Sequence, residues 1–194
     1  GDINEAPSLS SALSSTSFSE DSALGTIIAT SSVADPESNI ITYSLTGTGS
    51  EYFSVDENGN VTLKDNLDFE TYTNYEITLV ASDGELTSSS VITFDVSDVD
   101  EAPSLSSTLK SESFEESIAV GTALATISSV DPESQTITYS LSGTGSENFE
   151  IDSEGNITSK VTFDYETATS YTFNVTASDG TNSTTSPLTI TLSD

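Results

Sequence analysis

The chain contains no cysteine, no histidine, no methionine and no tryptophan. Without Cys, the disulfide staples common in small extracellular domains are excluded. Without Cys and His, a structural zinc site is excluded as well. The lack of His also removes the commonest general base. Strong cations number three, Lys64, Lys110 and Lys160, with no Arg, against 32 Asp plus Glu, for a formal charge of −29. Phosphate-backbone binding needs Lys and Arg, so nucleic acid is excluded as a partner. Attachment to an anionic membrane surface fails for the same reason. There is no run of 18 apolar residues for direct membrane insertion and no signal-peptide pattern.

What is present is acid, hydroxyl and a regular apolar pattern. High net charge alone would suggest disorder. Apolar residues nevertheless make up 34% of the chain, and many recur with period two, the signature of half-buried strands. Glu5-Ala6-Pro7 returns as Glu101-Ala102-Pro103, at 101 − 5 = 96 residues. The same step takes Asp35-Pro36-Glu37-Ser38 to Asp131-Pro132-Glu133-Ser134, Asp68-Phe69-Glu70 to Asp164-Tyr165-Glu166, and Ala81-Ser82-Asp83-Gly84 to Ala177-Ser178-Asp179-Gly180, with no gap. Solenoid units run roughly 20–50 residues, so this period is a whole domain. The chain is expected to hold two domains, 1–97 and 98–194, joined by a linker at about 98–103, and to be part of something longer. Each is long enough for a modest core of its own. With no disulfides available, metal becomes a plausible staple.

The strands are legible in both copies. Ile41, Tyr43 and Leu45 alternate with hydroxyls, as do Ile137, Tyr139 and Leu141. Tyr75, Ile77, Leu79 and Ala81 match Tyr171, Phe173, Val175 and Ala177; Ile92, Phe94 and Val96 match Leu188, Ile190 and Leu192. Each set lines one inward face, with Thr and Ser outward. Phe18 and Phe114 read as core anchors. Asp56-Glu57-Asn58-Gly59-Asn60 and Asp152-Ser153-Glu154-Gly155-Asn156 read as hairpin turns in which Gly supplies positive φ. A short helical turn can follow Asp68 or Asp164. About seven strands per copy, without a useful amphipathic helix, indicate an all-β protein of two tandem immunoglobulin-like β-sandwiches.

Phe53-Ser54-Val55-Asp56, Gly59-Asn60-Val61, Leu67-Asp68-Phe69-Glu70, Ala81-Ser82-Asp83-Gly84 and Asp98-Val99-Asp100-Glu101-Ala102-Pro103 follow the order of a cadherin repeat. The chain resembles that family over nearly its whole length, twice. Its Ser/Thr-rich, Cys-free composition is similar to the bacterial members that form long arrays in secreted, RTX-type adhesins. The resemblance implies seven-stranded Greek-key sandwiches with up to three Ca²⁺ ions at each inter-domain junction. Carried over, the ligands of the central junction are Glu20, Asp68 and Glu70 from the first copy. The linker adds Asp98, Asp100, Glu101 and the carbonyls of Val99 and Ala102; the second copy adds Asp131, Glu133 and Asp179. The family linker Asp-x-Asn-Asp-Asn is Asp-Val-Asp-Glu-Ala here, and its Asp-x-Asp is Asp-Pro-Glu. The Asn carbonyl that follows that pair in the family has no counterpart near Gln135, which leaves the third ion with the weakest support. Asp2, Asn4, Glu5, Asp35, Glu37 and Asp83 would face a preceding domain. Glu116, Asp164, Glu166 and Asp194 would face a following one.

The chemistry of the residues agrees with that implication. Ca²⁺ takes 6–8 oxygen ligands, and Mg²⁺ fits a flexible carboxylate set less well. Two carboxylates ~4 Å apart repel by about 4 kcal/mol at an effective dielectric near 20, which a cation relieves. Plainer readings of the same residues exist. Asp68 and Glu70 taken alone would be a solvated loop, and Asp35-Pro36-Glu37 reads equally as a turn or a half-site. Asp56 to Gly59 is a turn and not an EF-hand, because Leu67 stands where that motif needs Glu. The Asn60, Asn156, Asn174 and Asn182 sequons carry little weight in a Thr-rich chain.

Three functions compete: a Ca²⁺-stiffened spacer and adhesion module, a carbohydrate-binding module, and a glycosidase. Sugar stacking is poorly provided for, with no Trp and only Tyr52, Tyr72 and Tyr165 as candidates. Catalysis is disfavoured because the paired carboxylates recur in both copies and no nucleophile motif accompanies them. The spacer, extracellular or at the cell surface, is the favoured reading. Its partners are the neighbouring repeats of the same chain and a cell-surface or polysaccharide ligand of the parent protein.

Overall fold

Alternating side chains sort the chain into sheets with one buried face, and the computed structural model, which describes residues 3–194, shows that sorting in both copies. The chain divides into two compact units, one ending at Val99 and the other beginning at Asp100. Asp2, one of the predicted outer ligands, lies outside the described residues.

The first unit carries β1 (Ser8–Leu13), β2 (Ser17–Ser19), β3 (Ile27–Ala34), β4 (Thr42–Thr46), β5 (Phe53–Val55), β6 (Val61–Leu63), β7 (Asn74–Ser82) and β8 (Thr87–Ser97). They form two four-stranded sheets, β1-β3-β6-β5 and β2-β8-β7-β4. Eight segments appear where about seven strands are expected, because the first strand is split between the sheets. β1 runs antiparallel to β3, whereas β2 runs parallel to β8, pairing Phe18 with Val96. The hand-over falls at Ser14, Ser15 and Thr16. The Ser14 amide donates to the Ile28 carbonyl on one sheet (2.9 Å), and the Asp95 amide donates to the Thr16 carbonyl on the other (3.1 Å). The second unit repeats the plan with β9 (Ser106–Leu109), β10 (Phe114–Glu115), β11 (Ala123–Ser128), β12 (Thr138–Ser142), β13 (Phe149–Ile151), β14 (Asn156–Ser159), β15 (Ser170–Ser178) and β16 (Ser183–Ser193). Its sheets are β13-β14-β11-β9 and β10-β16-β15-β12.

The inward residues of β7 and β8, Tyr75, Ile77, Leu79, Ile92, Phe94 and Val96, are all buried, as are Phe173, Val175, Leu188, Ile190 and Leu192 in the second unit. Phe18 and Phe114 are core residues on β2 and β10. Other predicted inward positions sit less deeply. Tyr43 and Leu45 on β4, Tyr139 and Leu141 on β12, and Tyr171 on β15 are half-buried, and Ile41 and Ile137 lie half-buried just ahead of β4 and β12. The ring inventory shifts between copies. The first core stacks Tyr75 on Phe94 at 5.5 Å, while the second stacks Phe149 on Phe173 at 4.6 Å. Ile77 and Phe94 of the first copy correspond to Phe173 and Ile190 of the second, so one aromatic ring has moved from the closing strand to its neighbour at constant volume.

The five-residue loops behave as the turn chemistry predicts. Asp56 accepts from the backbone amides of Asn58 (2.9 Å) and Asn60 (2.8 Å) and from the Asn60 carboxamide (2.8 Å). Asp152 does the same for Glu154 and Asn156. Gly59 and Gly155 both have positive φ, 77° and 81°. A Cβ on Gly155 would lie 2.4 Å from the Ile127 carbonyl oxygen, so no other residue fits there undisturbed.

Candidate metal centre

At the C-terminal pole of the first unit, Glu20 leaves β2 and turns inward, 7% exposed. An isolated buried carboxylate is costly, and this one is held by two backbone donors. The Phe69 amide donates to Oε2 (2.7 Å) and the Val99 amide donates to Oε1 (2.6 Å). Glu20 thereby ties the end of β8 to the Asp68–Tyr72 turn. Asp68 starts that turn. Its Oδ1 accepts from the Thr71 amide (3.0 Å), its Oδ2 from the Thr71 hydroxyl (2.8 Å), and its carbonyl from the Tyr72 amide (2.9 Å). This is the single helical turn foreseen after Asp68. Glu20, Asp68 and Glu70 each bring one carboxylate oxygen within 4.8 Å of the other two. Asp98 stands exposed after β8, and Val99 is half-buried with its amide committed to Glu20.

The N-terminal pole of the second unit is built from two turns. In the first, Asp131 is 6% exposed. Its Oδ1 accepts from the Gln135 amide (2.7 Å), and its carbonyl accepts from the Ser134 amide (3.1 Å). Ser134 takes the left-handed conformation, φ 62°, to close that turn. In the second, Asp179 Oδ1 accepts from the amides of Thr181 and Asn182, both at 2.6 Å. Glu133 Oε2 accepts from the Glu101 amide (3.4 Å), while Ala102 stands exposed. Asp100 is half-buried and bonded through both carboxylate oxygens, to the Gln135 carboxamide at Oδ1 and to the Asn182 carboxamide at Oδ2 (2.9 Å). The Asn182 carboxamide also donates to the Asp100 carbonyl (2.8 Å).

Three carboxylate oxygens at this pole, Asp131 Oδ2, Glu133 Oε1 and Asp179 Oδ2, are buried and have no hydrogen-bond partner. Unpaired anionic oxygens shut off from water are expensive. Hard oxygen donors of this kind suit a divalent cation of the Ca²⁺ type, so the residues present fit the ion.

The outer poles differ. In the first unit Asp35 Oδ2 is similarly unpartnered, but Asp83 Oδ2 accepts from the Asn4 carboxamide (3.1 Å). The Asp83 carboxyl is held below its ordinary pKa, chiefly by the Leu86 and Glu85 amides. The Glu5 amide donates to Glu37 (3.2 Å). In the second unit Glu116 Oε2 accepts from the Tyr165 amide (2.6 Å), the counterpart of the Glu20–Phe69 bond. Asp164 and Thr167 repeat the Asp68–Thr71 bond, and Asp194 and Glu166 are exposed.

The sequence reading missed Asn182 altogether as a site residue and saw no ligand counterpart at Gln135. Gln135 had a signal, since Asn39 offers a second amide at the same place in the first copy. Asn182 had none, because its counterpart is Leu86.

The cadherin domain family model matches residues 14–104 and again 110–193. The chain belongs to the cadherin domain family. It is 37% identical over 174 residues to chicken cadherin-related family member 1, covering 84% of this chain and 20% of that protein. It is 32% identical over 193 residues to human protocadherin Fat 1, covering 92% of this chain and 4% of that protein. The chain thus spans a small part of the length of these curated relatives. Among solved structures it is similar to human protocadherin-24 EC1-2, with a TM-score of 0.57 and 25% identity over 92% of this chain and 95% of that one. Cadherin domains are non-catalytic adhesion modules of cell-surface proteins and generally bind Ca²⁺ where successive domains meet. They are typically extracellular. Among the described residues of this cadherin pair, no helix is long and apolar enough to cross a membrane.

Proposed function

We propose that the two cadherin domains are a calcium-rigidified extender within a larger adhesive protein, with Ca²⁺ held where the first domain joins the second. The observation that carries this reading is the trio of buried, unpartnered oxygens on Asp131, Glu133 and Asp179. The Glu20, Asp68 and Glu70 cluster supports it from the first domain. The linker carboxylates Asp98, Asp100 and Glu101 and the carbonyls of Val99 and Ala102 complete the set. Bound Ca²⁺ supplies positive charge that offsets carboxylate repulsion and orders the linker.

Each protein group has a distinct task. Glu20 ties Val99, at the end of the first domain, to the Asp68 turn through its two backbone bonds. The Asp131 and Asp179 turns each use one carboxylate oxygen for the backbone and leave the other for the ion. The Ser/Thr-rich, Cys-free composition and the net charge of −29 support a secreted, extracellular setting of the kind found in bacterial adhesin arrays. The comparisons supply eukaryotic relatives, so the bacterial setting rests on composition. The partners of such a segment are its neighbouring domains and whatever surface ligand the parent protein grips.

The test is calorimetric titration of the whole chain with Ca²⁺ and separately with Mg²⁺. Saturable Ca²⁺ uptake that weakens at least tenfold in Asp131→Asn and Asp179→Asn, with far weaker Mg²⁺ uptake, is expected. No Ca²⁺ uptake up to about 10 mM, well above the ~10⁻⁴–10⁻³ M of extracellular modules, would remove the reading.

A further inference from the structure

We propose that Gln135 and Asn182 are positioning residues that fasten Asp100 to the turns carrying Asp131 and Asp179, so that the N-terminal pole of the second domain is assembled before any ion arrives. The ion-linked half of this proposal rests on the function proposed above; the fastening itself does not.

The two residues do the same double work. Gln135 gives its backbone N–H to Asp131 Oδ1 (2.7 Å) and its carboxamide to Asp100 Oδ1. Asn182 gives its backbone N–H to Asp179 Oδ1 (2.6 Å) and its carboxamide to Asp100 Oδ2 (2.9 Å) and to the Asp100 carbonyl (2.8 Å). Each residue therefore orients two acidic groups at once. In each turn the backbone bond occupies one carboxylate oxygen and leaves the other, Asp131 Oδ2 or Asp179 Oδ2, buried and free of partners. Asp131 itself is 6% exposed, so its open oxygen is part of a built site and not of a solvated face. Asp100 is an anion beside other anions, which would push it away. Two amide donors hold it there, and bonds to a charged acceptor are roughly twice as strong as neutral ones.

The first domain provides the comparison. Its backbone bonds are the same: the Leu86 amide donates to Asp83 Oδ1 (2.7 Å) and the Asn39 amide to Asp35 Oδ1 (2.9 Å). The side-chain bonds are not. Asn4 stands where the second copy has Asp100, and Leu86 has no side-chain carboxamide to offer. Asn39 reaches the Asn4 carboxamide oxygen (3.2 Å), and Asn4 donates to Asp83 Oδ2 (3.1 Å). That bond covers the very oxygen that Asp179 leaves open. The first domain thus ties Asn4 to both turns as well, but partly through the Asn4 carboxamide; in the second the Gln135 and Asn182 carboxamides do the tying and leave Asp179 Oδ2 available.

The experiment uses the whole chain in EDTA and in a Ca²⁺ series. Variants are N182L, which installs the residue of the first copy, N182L/Q135A, and Q135N as the conservative control. Backbone ¹⁵N order parameters at Asp100 and Glu101 in EDTA are expected near 0.85 in the wild type and below about 0.6 in N182L/Q135A. The Ca²⁺ midpoint is expected to weaken about tenfold in that variant, the scale at which outer-shell partners act. Q135N, which keeps an amide as Asn39 does, is expected to retain most of both. Unchanged order parameters and an unchanged midpoint in the folded double variant would overturn the proposal and leave the calcium reading standing. A wild type that takes up no Ca²⁺ would remove the calcium reading, while the order parameters would still decide the fastening. Should the double variant not fold, the wild type decides alone in EDTA. Side-chain amide protons of Asn182 and Gln135 exchanging at least tenfold more slowly than a free carboxamide are expected, and exchange at the free rate overturns the proposal.

Discussion

Tyr75 is one residue at which this fold carries an unrelieved cost. Its ring is buried, 1% exposed, among Tyr52, Phe53, Tyr72 and Phe94. Its hydroxyl has no partner, and burial pushes its pKa well above the ordinary tyrosine value. Removing a buried, unpaired hydroxyl without changing ring shape should stabilise. Tyr75→Phe is therefore expected to raise unfolding free energy by up to about 1 kcal/mol, read from urea denaturation at pH 7; a loss of stability would mean that the hydroxyl has a partner after all. The sequence marked Tyr75 correctly as inward-facing, because alternation reports the face. It could not report the missing partner, which depends on what surrounds the ring. Glu20 shows the same limit. Its acidity and place in the order of motifs made it a candidate ligand, but its two amide donors lie 49 and 79 residues away.

At the scale of elements, period two was enough for β7, β8, β15 and β16, whose buried residues alternate as the sequence does. It did not show that the first strand divides between sheets. Ser14, Ser15 and Thr16 carry no Gly or Pro to mark the break, and the break exists because Phe18 must enter the opposite sheet beside Val96. The Asp56 and Asp152 loops were legible, since Asp, Gly and Asn at fixed spacing specify the turn. Both carboxyls are held below the ordinary Asp value, first by the Asn60 and Asn156 carboxamides. The sign follows from linkage. A folded-state pKa below the unfolded value of about 3.9 means that the unfolded chain binds protons first as pH falls. The loops' contribution is present above about pH 4 and is lost as pH drops through the folded values. Asp56→Asn/Asp152→Asn is expected to be less stable than wild type at pH 7, with the difference shrinking as pH falls below about 4. Urea unfolding across that range checks it, and a pH-independent difference would contradict it.

At the scale of the whole molecule, the two cadherin domains realise one plan with two cores. Ile77 and Phe94 are exchanged for Phe173 and Ile190, and both arrangements bury these residues at 2% exposure or less. Volume-conserving exchanges are tolerated, whereas overpacking typically costs 1–3 kcal/mol. Ile77→Phe alone should therefore destabilise by about that amount, and adding Phe94→Ile should restore about half or more of the loss, a coupling that a double-mutant cycle measures. Additive losses would show that the two cores are not interchangeable solutions. The repeat, the family and the acidic poles were all legible in the sequence. The Asn182 carboxamide bonds at the second domain's pole were not, because the first copy has Leu86 in that place. Occupation of those poles by Ca²⁺ should stabilise the protein as a whole. This is tested most directly by thermal unfolding of the whole chain in EDTA against a Ca²⁺ series, with Mg²⁺ as the control. A hundredfold excess of Ca²⁺ over its Kd adds about 2.7 kcal/mol per native site, roughly 10–20 °C for a domain of this size. A melting temperature that climbs with Ca²⁺ and stays near the EDTA value with Mg²⁺ is the predicted result; a melting temperature indifferent to Ca²⁺ would contradict the account.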